Sequence, residues 1–271
     1  MDLLHWILLG LLPALALVLL GVGVGGPRLL AFSLSASVCL PFGVQAGWPP
    51  WFWHLSLTHG DASNWLWWCL CWTGICGVAY DLRLLPKALL LPCELLLVGL
   101  VPWFVTAPLR AGWSFEVAVL GLAAAWGQLG GTWVVLRRAA KVDAGIAVPL
   151  AGAVALAADA LLLRSYGSGL AWQLAGVAAF ALGIAVMTTL WRRPFVCGTG
   201  GALGIVVVHF AALWLGRGSR DLLRPSFLLA AAAPLPLWLC TTKAFADGRR
   251  LGVVIGLFGV VALAVTAVAL A

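Results

Sequence analysis

Residues 251–270 read LGVVIGLFGVVALAVTAVAL, twenty residues with no charge and no proline. An α-helix rises 1.5 Å per residue, so this run covers the roughly 30 Å hydrocarbon core of a bilayer in one pass. It shows none of the alternation of polar and apolar residues that a barrel strand carries, and so selects a helix. In lipid an unpaired backbone amide costs several kcal/mol, and a helix satisfies its own.

Working back from this run, nine more apolar stretches predict helices at 3–24, 29–46, 64–80, 88–107, 113–136, 144–163, 169–190, 196–215 and 222–242. The expected fold class is an all-α, polytopic transmembrane helix bundle of about ten helices, in a single transmembrane domain, 1–271, with no soluble domain. Ser33, Ser35, Ser37, Pro41 and Gly43 weaken the second stretch, and the count is nine if it fails to cross. Composition agrees: 63% of residues are hydrophobic, 9% are charged and the mean hydropathy is +1.08, whereas soluble domains are typically about 25% charged. Leu3 to Val24 has no basic residue before it and no A-x-A site after it, so it reads as a retained helix rather than a secretory signal.

With ten helices, eleven of the sixteen Lys and Arg residues fall on one set of connectors. The other five are Arg110, Arg164, Arg217, Arg220 and Arg224. By the positive-inside rule the richer set is cytoplasmic, which predicts a multi-pass protein of the cytoplasmic (inner) membrane with both termini outside the cytoplasm. The net charge of +7 then records topology, with the lipid bilayer as partner and no nucleic acid. Seven cysteines, an odd number, lie in apolar runs and read as small buried thiols without metal-site spacing. No cofactor is expected.

Between the second and third helices lies WPPWFWHLSLTHGDASNWLWW, residues 48–68. Seven of the sixteen tryptophans fall between positions 48 and 72. Trp48, Trp51, Trp53, Trp65, Trp67 and Trp68 predict an interfacial anchor, because amphipathic rings favour the headgroup region. His54, His59 and Asp61 are ligand types suited to a transition metal, but their spacing matches no zinc pattern. The anchor reading ranks first and a metal site second.

Inside the spans, an ionised acid is costly and therefore a functional suspect. Glu94 either lies on a solute or ion pathway or pairs near the headgroups with Lys87 or Arg83. Asp159 is open to the same two readings, with Arg164 as the local partner. Gln128 either bonds across a helix contact or binds substrate. Glu116, in a first helical turn, suits the helix dipole. His209 reads as a hydrogen-bonded packing residue, and His5 lies too near an end to share a haem with it. Pro234 and Pro236 predict a broken helix, the kind of feature transporters use to bind substrate. Pairs at four-residue spacing, Gly21/Gly25, Gly127/Gly131, Gly200/Gly204 and Gly252/Gly256, predict close helix contacts. The run CGTGGALG, 197–204, lacks the lysine of a phosphate loop. Ten helices would divide into two halves of five, though no residue-level repeat links them.

The segments GWPP and DASNWLWW, then GLAWQLAGVAAFALG at 169–183, then VVVHFAALWL at 206–215 leading into FLLAAAAPLPLWL at 227–239 resemble the landmarks of a group of uncharacterised bacterial multi-pass membrane proteins. The resemblance covers most of the chain in layout and implies an integral membrane protein without a known activity. Where the group leads from its prolines directly to the Asp and Trp, this chain inserts WFWHLSLTHG, which leaves the two histidines outside the shared pattern. Two functional expectations follow from the residues: a small-solute or ion transporter, or a structural or assembly membrane protein. A membrane enzyme using His54, His59 and Asp61 comes third, and no catalytic motif supports it.

Overall fold

The computed structural model describes residues 11–25, 30–45, 62–84, 86–110, 112–142, 146–191, 197–216, 224–242 and 249–271. The described residues are almost entirely helical, and no strand occurs among them. In chain order the helices are α1 (Leu12–Gly25), α2 (Leu30–Gln45), α3 (Ala62–Asp81), α4 (Lys87–Val105), α5 (Phe115–Val142), α6 (Ala147–Ser165), α7 (Gly169–Trp191), α8 (Thr199–Gly216), α9 (Pro225–Ala232) and α10 (Arg249–Ala269). A single helical turn, Ala107–Arg110, links α4 to α5, and a 3₁₀ segment, Leu235–Thr241, continues α9. Expected and observed helices agree to within about three residues at most described ends, and α5 runs on past the expected end at 136 to Val142.

Six helical windows are long and apolar enough to cross a membrane: Ala88–Val105, Phe115–Val142, Ala147–Ser165, Ala171–Thr188, Thr199–Gly216 and Arg250–Ala269. The outer surface agrees with that length. Phe115, Leu120 and Phe258 are 82%, 70% and 72% exposed, and a contiguous coat of such side chains would be an aggregation liability in water. The chain is a membrane protein whose apolar residues face outward as well as inward.

At the centre stands α8. It packs against α2, α3, α4, α5, α6, α7 and α9, and all its residues except Thr199 and Leu215 are buried. Glycine permits the closest of these approaches. A Cβ at Gly200 would run into the backbone carbonyl of Gly77 on α3, so α3 and α8 touch through their main chains. Two of the expected glycine pairs behave differently. At Gly127 and Gly131 nothing lies within 4 Å of where a Cβ would stand, and neither makes a close helix contact. Gly256 meets its neighbour, since a Cβ there would lie 3.0 Å from the carbonyl oxygen of Pro236.

The ninth helix is broken where the prolines stand. Pro234 and Pro236 withdraw two backbone donors, and the chain tightens to bonds three residues apart: Ala233 N–H to the Ala230 carbonyl at 3.0 Å and Leu237 N–H to that of Pro234 at 3.3 Å. The expected helix at 222–242 is thus two short pieces, broken at the prolines that predict the break. α10 closes on the break through Gly256 and Gly259, both of which rest on Pro236.

Candidate functional site

The most deeply buried acid and histidine among the described residues are Asp159 on α6 and His209 on α8, 0% and 1% exposed. His209 Nδ1 lies 2.6 Å from Asp159 Oδ2. At 1.5 Å per residue, Asp159 is about 18 Å from the start of α6 and about 9 Å from its end. His209 is about 15 Å and about 10 Å from the two ends of α8. The pair therefore sits well inside the spans, where a lone charge would cost several kcal/mol, and each residue supplies the charge complement of the other. Asp159 Oδ1 has no hydrogen-bond partner. On its far side the histidine ring meets the backbone of Ala231, in the last turn of α9, with Nε2 short of a full hydrogen bond.

That last turn also lies against α6. Ala155, Ala158, Ala233 and Ala264 form one buried cluster, so the break after Ala232 packs on the turn of α6 that precedes Asp159. Arg164, the neighbour expected to pair with Asp159, is exposed and lies over the ring of Trp172 at 5.7 Å. The acid bonds across the bundle instead.

Glu94 on α4, 2% exposed, anchors a second constellation. It accepts a hydrogen bond from Tyr80 Oη on α3. It also accepts one from Trp133 Nε1 at 2.5 Å and one from Arg137 Nη1 at 2.6 Å, both on α5. Arg137 in turn stacks over the Trp133 ring at 5.6 Å. The observed ion partner is thus Arg137, while Arg83 is exposed and the Lys87 side chain falls outside the described residues.

Next to Tyr80, Asp81 ends α3 beyond its apolar part. Its carboxylate accepts from the backbone N–H of Gly200 at 3.0 Å and of Gly201 at 3.3 Å. These are orphan amides of the first turn of α8, a natural anion site. Burial pushes the Asp81 carboxyl up to about 6, against the pull of the two amides. The glycine run that lacked a phosphate-loop lysine does bind an anion here, an internal one. Arg83 helps set this end of α3: it takes φ 55°, and Leu84 N–H reaches back to the Ala79 carbonyl at 3.1 Å, the left-handed helix stop more often given to glycine.

Gln128 on α5 accepts from Trp214 Nε1 on α8 at 2.8 Å, and its Nε2 is buried without a partner. His54, His59, Asp61, Trp48, Trp51 and Trp53 lie outside the described residues, as do the side chains of Trp65 and Trp67. Trp68 is described and lines an apolar groove between α3 and α4 with Trp72, Leu97, Val101 and Phe104. None of the seven cysteines is in a disulfide, and all are buried or half-buried. Among the described residues no three His, Cys, Asp or Glu side chains converge.

Sequence reasoning singled out Glu94, Asp159, Gln128 and His209 but missed Tyr80, Asp81 and Trp133, and used Arg137 only for topology. Tyr80 carried one available signal: it is one of two tyrosines in the chain and directly precedes an acid at a helix end. The chain matches no protein-family model, no curated protein and no solved structure.

Proposed function

We propose that the chain is a multi-pass inner-membrane transporter of a small solute or ion, with Asp159 and His209 on its pathway. One observation supports this above the rest: an acid and a histidine, both almost wholly buried, pair deep in the bundle against the turn where a proline pair breaks α9. Buried ionisable residues in spans mark ion and proton pathways, and discontinuous helices supply backbone groups to substrate sites. The basic connectors give the orientation, with the Glu94 and Asp81 constellations toward the cytoplasm and both termini outside.

The scaffold reading draws on Glu94. Its carboxylate has three donors from two neighbouring helices, and that saturation suits a joint that holds α3, α4 and α5 together.

Accessibility separates the two readings without knowledge of the solute. Ala158→Cys and Ala233→Cys each place a thiol beside the pair. Inside-out and right-side-out vesicles are treated with a membrane-impermeant thiol reagent, and the adducts are located by mass spectrometry. A transporter exposes these positions to each side in turn, so adducts form from both. Adducts from one side only, or from neither, would sink the transporter reading.

A further inference from the structure

We propose that Cys39 on α2 and Cys71 on α3 form a two-coordinate sulfur site for copper(I). The site is independent of the pathway at Asp159 and His209 and holds whether or not the chain transports a solute.

Geometry comes first. The two Sγ atoms face each other across the contact of α2 with α3, 4.0 Å apart. Cys39 is buried and Cys71 half-buried. A disulfide would bring the sulfurs to about 2.05 Å. Metal–thiolate bonds are about 2.3 Å long, so two laid in line span roughly 4.6 Å, and an ion enters between the sulfurs with a shift of about half an ångström. The helices hold the thiols at the spacing of a bridging ion. Sequence spacing hid the pair, because its members stand 32 residues apart.

Coordination number selects the metal. Zinc is held by three or four protein ligands, and among the described residues no three His, Cys, Asp or Glu side chains converge. Calcium and magnesium take oxygen ligands. Soft sulfur ligands favour copper(I), a closed-shell ion stable with two sulfurs in line.

The surroundings suit negative charge on sulfur. At 1.5 Å per residue, Cys39 is about 9 Å from the end of α2 and Cys71 about 14 Å from the start of α3. A charge at that depth needs a partner, and copper(I) supplies the positive one. Ser35, one turn before Cys39 on the same face of α2, lies against Gly74 on α3, one turn after Cys71. Ser37 and Thr73 donate back to the carbonyls of Ser33 and Cys69 on their own helices, whereas Ser35 Oγ is buried without a partner. The seam that holds the two thiols therefore also holds a spare hydroxyl donor one turn away.

Loading is a ligand exchange. Copper(I) arrives on a low-molecular-weight thiolate. An S–Cu bond to one cysteine replaces its S–H bond, that proton passes to the departing thiolate, and the other cysteine sulfur donates a lone pair. The loaded site is neutral, and copper keeps its oxidation state.

The test uses the full chain, reduced, in detergent without oxygen, titrated against copper(I) held by the coloured chelator bicinchoninate. Wild type should withdraw copper(I) from the chelator. Cys39→Ser and Cys71→Ser should each withdraw one equivalent per chain less, whereas Cys240→Ser should match wild type. X-ray absorption of the loaded protein should show two sulfur neighbours per copper. Should the two serine variants fail to fold, wild type suffices: saturating copper(I) should protect Cys39 and Cys71 together from alkylation by N-ethylmaleimide, read by mass spectrometry. No uptake by wild type overturns the site. So does uptake undiminished in both variants, carried by other thiols such as Cys76 and Cys93, which face each other across α3 and α4. Alkylation of Cys39 or Cys71 in copper-saturated protein overturns it as well.

Discussion

Asp81 and Gly200 join the end of α3 to the start of α8: the carboxylate accepts the glycine amide at 3.0 Å, and a Cβ on Gly200 would strike the carbonyl of Gly77 one turn back on α3. The helix that carries His209 is therefore held at its first turn by main-chain contact and by a single acid. Anything that loosens this joint acts on the pair farther along α8.

Substitution of Gly200 tests the contact. The group in the way is backbone, which cannot swing aside, so Gly200→Ala must part α3 from α8 and should sharply lower yield and melting temperature. Gly127→Ala on α5 meets nothing within 4 Å and should be neutral or stabilising by up to about 1 kcal/mol, because alanine favours the helix. Thermal unfolding of both variants in detergent measures the contrast. Equal effects would refute the main-chain contact.

The acid itself should report through pH. Its folded value, about 6, lies above the unfolded 3.8, so between the two the folded state holds more protons than the unfolded one. By linkage, stability then falls as pH rises through that window. Asp81→Asn cannot titrate yet still offers an oxygen to one amide. Wild type should lose melting temperature relative to this variant between pH 3.8 and about 6, and parallel profiles would show that Asp81 is not buried as described.

Glu94 should matter for stability whatever the protein carries. Removing one partner of a buried ion pair typically costs about 3–5 kcal/mol, and a hydrogen bond to a charged group contributes about 1.5–3 kcal/mol. Arg137 is partly exposed, so Glu94→Gln should fall near about 3 kcal/mol and Tyr80→Phe near about 1.5 kcal/mol. A Glu94→Gln variant that melts with wild type would mean that the three donors are not engaged.

These contacts mark where sequence reading stops. Helix positions were legible because a bilayer demands long apolar runs, and the break at Pro234 and Pro236 was legible because proline lacks a donor. Partners were not. Asp159 stands five residues from Arg164 and fifty from His209, and one-dimensional spacing favours the nearer cation. The choice depends on α6 packing against α8, which hydropathy does not encode. One glycine pair fails for a related reason, since spacing puts Gly127 and Gly131 on one face without saying whether a helix covers it, while Gly200 and Gly256 do meet neighbours.

The prolines tie fold and proposed function together. Pro234→Ala with Pro236→Ala restores two backbone donors and removes the fixed φ that favours the turn, so α9 should run on as one helix and recover hydrogen bonds it lacks. Stability should stay level or rise, given that helix-interior proline costs about 3 kcal/mol relative to alanine. The end of α9 that meets the His209 ring at Ala231 would then be continuous helix. Two-sided labelling of Ala158→Cys should vanish although Asp159 and His209 are untouched. If the double variant is fully helical by hydrogen exchange at 230–237 and Ala158→Cys still labels from both faces as in the wild-type background, the break plays no part in access to the pair.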